Sequence, residues 1–250
     1  MTFEATINKQ FFQFFIDTIH TIADESNIKI SEDGIEACTN DAARVALSET
    51  ILLPNAFIHY KADNHDICLD IKKINDILST FDKDSELDLV VDEKLNEFII
   101  KSKGLQYNIK LYHFDKNNSP EVPNIDLSTK VKVPPSPLYK TMKSANKISN
   151  LINFEHIPEN ELVKINAENE DSINIDIDRN TYSSLEGYND RATYNLDYME
   201  EIFKVIKNIK TTTIEWKTDY PIKITTIPGY DENDKPIGKS IFLVAPRIDN

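Results

Sequence analysis

Polar and apolar residues alternate from Thr2 to Ile7, and then the period changes. From Lys9 to Glu25 the apolar positions Phe12, Ile16, Ile19 and Ile22 recur at steps of three and four, which predicts a strand followed by a long one-faced helix. Alternation returns at Ile28–Ser31, Gly34–Thr39, Arg44–Leu52 and His59–Leu69, predicting four strands before a second helix at Ile71–Phe81. Strands at Glu86–Val91, Glu97–Ser102 and Leu105–Tyr112 complete this half. Turn signals at Glu32-Asp33-Gly34 and Lys103-Gly104 make their neighbours antiparallel hairpins.

Residues 113–127 have no period and hold Pro120 and Pro123, so they read as a connector. The order of elements then begins again: strand Thr129–Val133, a helix over 136–149, several strands, a helix over 196–209, and strands Thr211–Lys217, Ile222–Thr226 and Ser240–Val244. A shift of 125 places Ile77-Leu78 on Ile202-Phe203 and Leu89-x-Val91 on Ile214-x-Trp216. A shift of 126 places Phe12, Ile16, Ile19 and Ile22 on Leu138, Met142, Ala145 and Ile148. The match is of apolar spacing, and it predicts two similar α+β domains, 1–112 and 128–250.

The helix over 136–149 sets Leu138, Met142 and Ala145 opposite Lys140, Lys143 and Lys147. The helix over 196–209 sets Met199, Ile202, Ile206 and Ile209 opposite Lys204 and Lys207. Lysines on a solvated helix face are ordinary, and Glu200 stands four residues before Lys204, the spacing of a surface ion pair. The chain as a whole, however, has a formal net charge of -14. Such a balance repels polyanions, so two cationic faces within it point to a local phosphate-facing surface.

Composition excludes several classes. Hydrophobic content of 40% is that of a soluble globular protein, and no apolar run approaches the roughly 20 residues that span a bilayer; with no basic-then-apolar leader, an intracellular protein is expected. Cys38 and Cys68 form no C-x-x-C pair and read as reduced, packed thiols. The five glycines never form a dinucleotide or P-loop fingerprint, and neither H-E-x-x-H nor G-x-S-x-G occurs. His59, Asp63, His65 and Asp66 are the nearest thing to a metal cluster and read as a polar turn. No enzyme is indicated and no cofactor is expected, although an acid/base site among so many carboxylates is left open by spacing alone.

Two short motifs bring a family into view. Leu243-Val244-Ala245-Pro246-Arg247-Ile248-Asp249 resembles the L-A-P-[KR]-I-E ending of the sliding clamp PCNA, in its archaeal and eukaryotic form, and Asp41-Ala-Ala-Arg-Val45-Ala46-Leu47 resembles that family's D-x-x-[RH]-V-x-L segment. Phe3-Glu4-Ala5, Ile28-x-Ile30-x-Glu-Asp-Gly34-Ile35, the connector and Asp219-Tyr220-Pro221-Ile222 also match, so the resemblance runs nearly end to end. It implies the α+β DNA clamp (processivity) fold: two similar domains, each with two helices on antiparallel sheets, three copies closing as a ring with the helices lining the hole. Duplex DNA would pass through without being read, because lysine–phosphate contacts carry affinity but no sequence information.

By the same resemblance, Lys72, Lys73, Lys140, Lys143, Lys147, Lys204 and Lys207 would face DNA. Asn40, Val45, Leu47, Val122, Pro123, Pro221, Leu243, Val244, Ala245 and Pro246 would form a pocket for a partner peptide with a glutamine and an aromatic plug. Asn108, Lys110 and Tyr112 would meet Ile173, Ile175 and Ile177 of a neighbouring copy, with Lys110 facing Asp176 or Asp178. Implied partners are double-stranded DNA, DNA polymerase, flap endonuclease, DNA ligase and an ATP-driven clamp loader of the replication factor C type, in a homotrimer and without a membrane. Localisation would be cytoplasmic and nucleoid-associated in an archaeon, nuclear in a eukaryote. The chain departs from the pattern at Gln13, Phe14, Asp76 and Ser79, where relatives often carry basic residues, and at Asn40, often apolar. The uneven charge keeps a heterotrimer subunit open as an alternative. An acidic scaffold that binds only proteins is another.

Overall fold

The computed structural model describes residues 3–113 and 120–248. They divide into two compact units: 3–42, 47–113, 120–122 and 227–240 form the first, and 43–46, 123–226 and 241–248 the second. The boundary is therefore not a single cut at the connector, because Ile227–Ser240 returns to the first unit.

The first unit contains β1 (Phe3–Asn8), α1 (Lys9–His20), β2 (Glu25–Ser31), β3 (Gly34–Asn40), β4 (Ala46–Leu52), β5 (Phe57–Ala62), β6 (His65–Asp70), α2 (Ile71–Leu78), β7 (Glu86–Asp92), β8 (Glu97–Ser102) and β9 (Leu105–Lys110). One sheet runs β5-β1-β7-β8-β9 and the other carries β4-β3-β2-β6. Inward positions at period two, such as Phe3, Ala5 and Ile7 on β1 and Leu87, Leu89 and Val91 on β7, close over Phe12, Phe15, Ile16 and Ile19 of α1 and Ile71, Ile74 and Leu78 of α2. Each of the larger side chains, alanine apart, contributes about 1.5–3 kcal/mol relative to exposure.

The second unit contains β10 (Thr129–Val133), α3 (Pro135–Ala145), β11 (Leu151–Ile157), β12 (Leu162–Glu168), β13 (Ser172–Ile177), β14 (Ser184–Glu186), β15 (Arg191–Asn195), α4 (Leu196–Ile206), β16 (Thr212–Trp216) and β17 (Ile222–Thr226), followed by β18 (Gly238–Val244) and β19 (Pro246–Arg247). Its sheets carry β14-β10-β16-β17 and β13-β12-β11-β15-β19. Phe154 meets Tyr194 and Trp216 edge-on, each with ring centroids 6.0 Å apart, at the centre of its core.

The repeat read from apolar spacing is a repeat of strand pairing. β1 lies between β5 and β7 as β10 lies between β14 and β16. β2 lies between β3 and β6 as β11 lies between β12 and β15. The entry to the second helix is also shared: Ile71 donates its N–H to Asp24 O at 2.8 Å, and Leu196 donates to Asn150 O at 2.9 Å.

Several expected boundaries are corrected. The helix expected to reach Glu25 ends at His20, because Asp24 turns its carbonyl to the start of α2 and Glu25 opens β2. The single strand expected over His59–Leu69 is two, with β5 paired to β1 and β6 to β2 in the other sheet. The strand expected from Arg44 starts at Ala46, since Arg44 has a φ of 56° that no strand accommodates. The second helix ends at Leu78 rather than Phe81, and the later two end at Ala145 and Ile206 rather than 149 and 209.

Candidate functional site

In the second unit α3 buries Leu138, Met142 and Ala145 and leaves Lys140 and Lys143 exposed. Lys147 is exposed as well, but it follows the helix, in a turn tightened by Ile148 N–H donating to Ala145 O at 2.8 Å. The α3 end of the pair is thus cationic. α4 is mixed. Lys204 donates to Glu201 Oε2 at 2.9 Å rather than pairing with Glu200, and the Glu201 bond holds its ammonium above the ordinary lysine range. Glu200 Oε2 instead accepts from Asn146 Nδ2 at 2.7 Å, and Lys207 lies over the Tyr139 ring at 5.1 Å. Lys204 therefore stays charged while Glu201 offsets part of its field.

The first unit presents less charge. Lys72 and Lys73 are exposed in the first turn of α2, where Asp70 caps Lys73 N–H at 2.8 Å. Cations at a helix N-terminus oppose the helix dipole, so helix stability does not account for them. Lys9 is spent locally, donating to Phe81 O at 2.6 Å. Gln13 stitches the two helices together without charge, Nε2 donating to Asp17 Oδ1 at 2.8 Å and Asn75 Oδ1 at 2.6 Å. Asp76 and Ser79 are exposed.

Of the expected pocket residues, the second unit gathers four. Val45 O accepts from Ala245 N–H at 2.8 Å, Pro246 sits opposite Tyr194 in the β15–β19 pair, and Tyr194 donates its hydroxyl to Tyr220 O at 3.0 Å, next to Pro221. Val45, Pro221, Ala245 and Pro246 are half-buried and Pro123 is exposed. Val244 and Leu243 do not fit their expected role as pocket surface: Val244 is 0% and Leu243 5% exposed, because both faces of this strand are covered. Tyr220, 45% exposed, and Ile248, 59% exposed, are apolar surface that the expected set lacked. Both stand inside the quoted motifs, which was the available signal. In the first unit Asn40 sits opposite Leu47 in the β3–β4 pair, and Leu47 and Val122 are half-buried.

Among the described residues β9 ends one sheet of the first unit, whose other end is β5, and β13 ends one sheet of the second, whose other end is β19. Asn108 and Lys110 are exposed on β9, and Glu97 accepts from both, at 2.7 Å and 2.9 Å, which holds its carboxyl below the usual range with the Asn108 bond the larger cause. Tyr112 is not on the edge. It lies beyond β9, its N–H donating to Cys68 O and its hydroxyl to Asp70 Oδ2, both at 2.9 Å. Ile177 is buried and Ile173 and Ile175 half-buried, leaving Asn174 and Asp176 outward. Asp178 accepts from Asn180 N–H at 3.0 Å and Thr181 Oγ1 at 3.1 Å, so it is committed to its own turn.

His59 and His65 belong to different sheets, and among the described residues no three His, Cys, Asp or Glu side chains are grouped to hold a metal ion. Burial, with Glu49 and Glu36 nearby, pushes the Cys38 thiol up to about 12, and burial followed by Glu25 raises Cys68. Both thiols are protonated at neutral pH and poor nucleophiles. No helix among the described residues is long and apolar enough to cross a membrane.

A β-α-β repeat with one pairing scheme used twice, a helix pair in each unit and an open edge on each defines the clamp class of α+β fold. The family model described as the N-terminal domain of proliferating cell nuclear antigen matches residues 2–120. The DNA polymerase sliding clamp of Methanospirillum hungatei is 30% identical, with 98% of each chain covered, and that of Methanocella arvoryzae 29%, with 99% of each covered. The chain belongs to the DNA polymerase sliding clamp family. Its fold matches the solved structure of the C-terminal region of FEN-1 bound to A. fulgidus PCNA (TM-score 0.89, 22% identity, 99% of each chain) and PCNA from Thermococcus kodakaraensis (TM-score 0.86, 23% identity, 98% of this chain and 100% of the other).

Proposed function

We propose that three copies of this chain close into a ring around duplex DNA, slide on it without reading sequence, and tether DNA polymerase, flap endonuclease and DNA ligase after loading by a clamp loader. The chain itself is not an enzyme on this reading. The observation that carries it is a strand pairing inside the first unit. There β4 lies against the start of β18, with Leu53 N–H donating to Ile237 O at 2.9 Å and the Thr50 and Ser240 hydroxyls 2.7 Å apart. In the repeat, β4 is the counterpart of β13 and β18 the counterpart of β9. The open edges β9 and β13 therefore have a template for pairing, which on this reading another clamp subunit supplies. A head-to-tail contact of this kind closes as a ring when its rotation permits.

Exposed Lys140, Lys143 and Lys147, assisted by Lys204, Lys207, Lys72 and Lys73, supply phosphate contacts. The half-buried Val45, Pro221, Ala245 and Pro246, with Tyr220 and Ile248, supply apolar anchors for a partner peptide. A few anchors at about 1.5–3 kcal/mol each suffice for exchangeable micromolar docking. A synthetic peptide carrying a glutamine and an aromatic plug is expected to bind in the micromolar range by calorimetry, and Val45→Glu to weaken it by roughly tenfold or more without lowering the melting temperature. Equal binding by the variant would remove this surface from the account.

A further inference from the structure

Two polar contacts cross the seam between α3 and α4, and both start from one line of α3. Tyr139 and Asn146 stand seven residues apart, two turns along the same side. Asn146 Nδ2 donates to Glu200 Oε2 at 2.7 Å, and the Lys207 ammonium lies 5.1 Å from the centre of the Tyr139 ring. Tyr139 is half-buried and is the one aromatic residue in α3. Its side chain is also near enough to act on the Lys204 ammonium. On its own helix Lys143 follows four residues later, which makes the two neighbours on the helix surface.

The two lysines that α4 brings to this seam are held in opposite ways. Lys204 is ion-paired with Glu201 at 2.9 Å, and that carboxylate subtracts from the field a phosphate would meet. Among the described residues Lys207 pairs with no carboxylate, and its partner is a neutral ring. A ring face fixes an ammonium through its quadrupole and leaves the full charge in place. The dipole of α4 favours a cation at its C-terminal cap, where Lys207 stands, but it does not require an aromatic ring beneath that cation.

We infer that Lys207, held by Tyr139, is the main phosphate contact of α4, with Tyr139 as its positioning residue. This inference rests on the DNA-encircling reading above. The Tyr139 ring restrains a flexible lysine arm before any phosphate arrives, so less freedom is lost on contact. It also brings the Lys207 charge to the part of α3 that carries Lys143. The seam thereby offers one stretch of DNA backbone two cations from different helices, neither of them offset by a carboxylate. Lys204, three residues earlier, is the weaker contact because it shares its charge with Glu201.

Salt titrations of random-sequence duplex binding by the full chain test this. Lys207→Ala is expected to lower the slope of log affinity against log salt by about 0.9 per engaged chain, and Lys204→Ala by less than half of that. Tyr139→Leu keeps bulk in the seam but removes the ring, and it should reproduce most of the Lys207→Ala loss. Tyr139→Phe keeps the ring and should bind like wild type. Tyr139→Leu added to Lys207→Ala should cost nothing further, because a positioning residue has no effect once its lysine is gone. Melting temperatures show that each variant folds, and a Tyr139 that served packing alone would not make its effect on the slope depend on Lys207. An unchanged slope in Lys207→Ala, a Tyr139→Leu loss that adds to it in full, or a Tyr139→Phe loss as large as that of Tyr139→Leu overturns the inference. Retention on circular DNA would then still support the encircling reading. A wild-type chain that leaves circular and linear DNA alike overturns that reading, and the inference with it.

Discussion

Asp190→Ala is expected to destabilise the second unit by about 3–5 kcal/mol, lowering its melting temperature by roughly 10–20 °C. Asp190 is 6% exposed. Its carboxylate accepts from Ser128 Oγ at 2.7 Å, Thr129 Oγ1 at 2.6 Å, Thr218 N–H at 3.1 Å and Thr218 Oγ1 at 3.0 Å, so it ties the first residues of β10 to the turn after β16. Burial pushes its pKa up, but these donors together outweigh burial and leave it below the ordinary aspartate value. Removing the carboxylate strands several donors at once, and hydrogen bonds to a charged group carry about 1.5–3 kcal/mol each. The sign of the pH effect follows from the depressed pKa. The contribution is complete above the unfolded value of about 3.9 and is lost as pH falls through the lower folded value. Chemical denaturation of wild type and Asp190→Asn from pH 7 down to pH 2 measures it. The two curves should converge toward acid, and a constant gap would show that the carboxylate charge contributes nothing.

Replacing Lys140, Lys143 and Lys147 together with alanine is expected to have the largest effect on DNA. Each lost phosphate contact lowers the slope of log affinity against log salt by about 0.9, so the triple variant should lose about 3 units of slope per engaged chain. Lys204→Ala should do less than Lys143→Ala, because Glu201 already cancels part of the Lys204 charge at 2.9 Å. Lys72→Ala with Lys73→Ala should also fall short of the triple variant, since Gln13 and the spent Lys9 leave that helix pair with little other positive charge. Salt titrations of duplex binding, using DNA of random sequence, rank these variants. Identical slopes for wild type and the triple variant would take the α3 lysines out of DNA contact.

Local patterns make most elements legible in the sequence. Period-two runs such as Phe3, Ala5 and Ile7 and helical runs such as Phe12, Ile16 and Ile19 are set by which face must be buried, and each face is written in consecutive residues. The failures lie where the deciding partner is far along the chain. Nothing near Asp63 and Asn64 marks the point where β5 leaves for one sheet and β6 for the other, because the choice is made by pairing with β1 and β2. Lys147 keeps the helical period of Lys140 and Lys143, but the helix has stopped at Ala145, and period alone cannot show where the hydrogen bonds stop. Val244 and Leu243 sit in a motif whose next residues, Ala245 and Pro246, are half-buried, yet their own side chains are enclosed. Asp190 was one acid among 42, and its donors Ser128, Thr129 and Thr218 are about sixty and thirty residues away.

On the proposed function the chain holds DNA by encircling it. Loading the protein with a clamp loader onto a closed circular duplex, isolating the complex in high salt and then cutting the circle once tests this directly. An encircling clamp stays on the intact circle and is rapidly lost from the cut, linear DNA, because the remaining contacts are weak and sequence-independent. Protein that stays on the linear DNA as long as on the circle, or that leaves both equally fast, would contradict it.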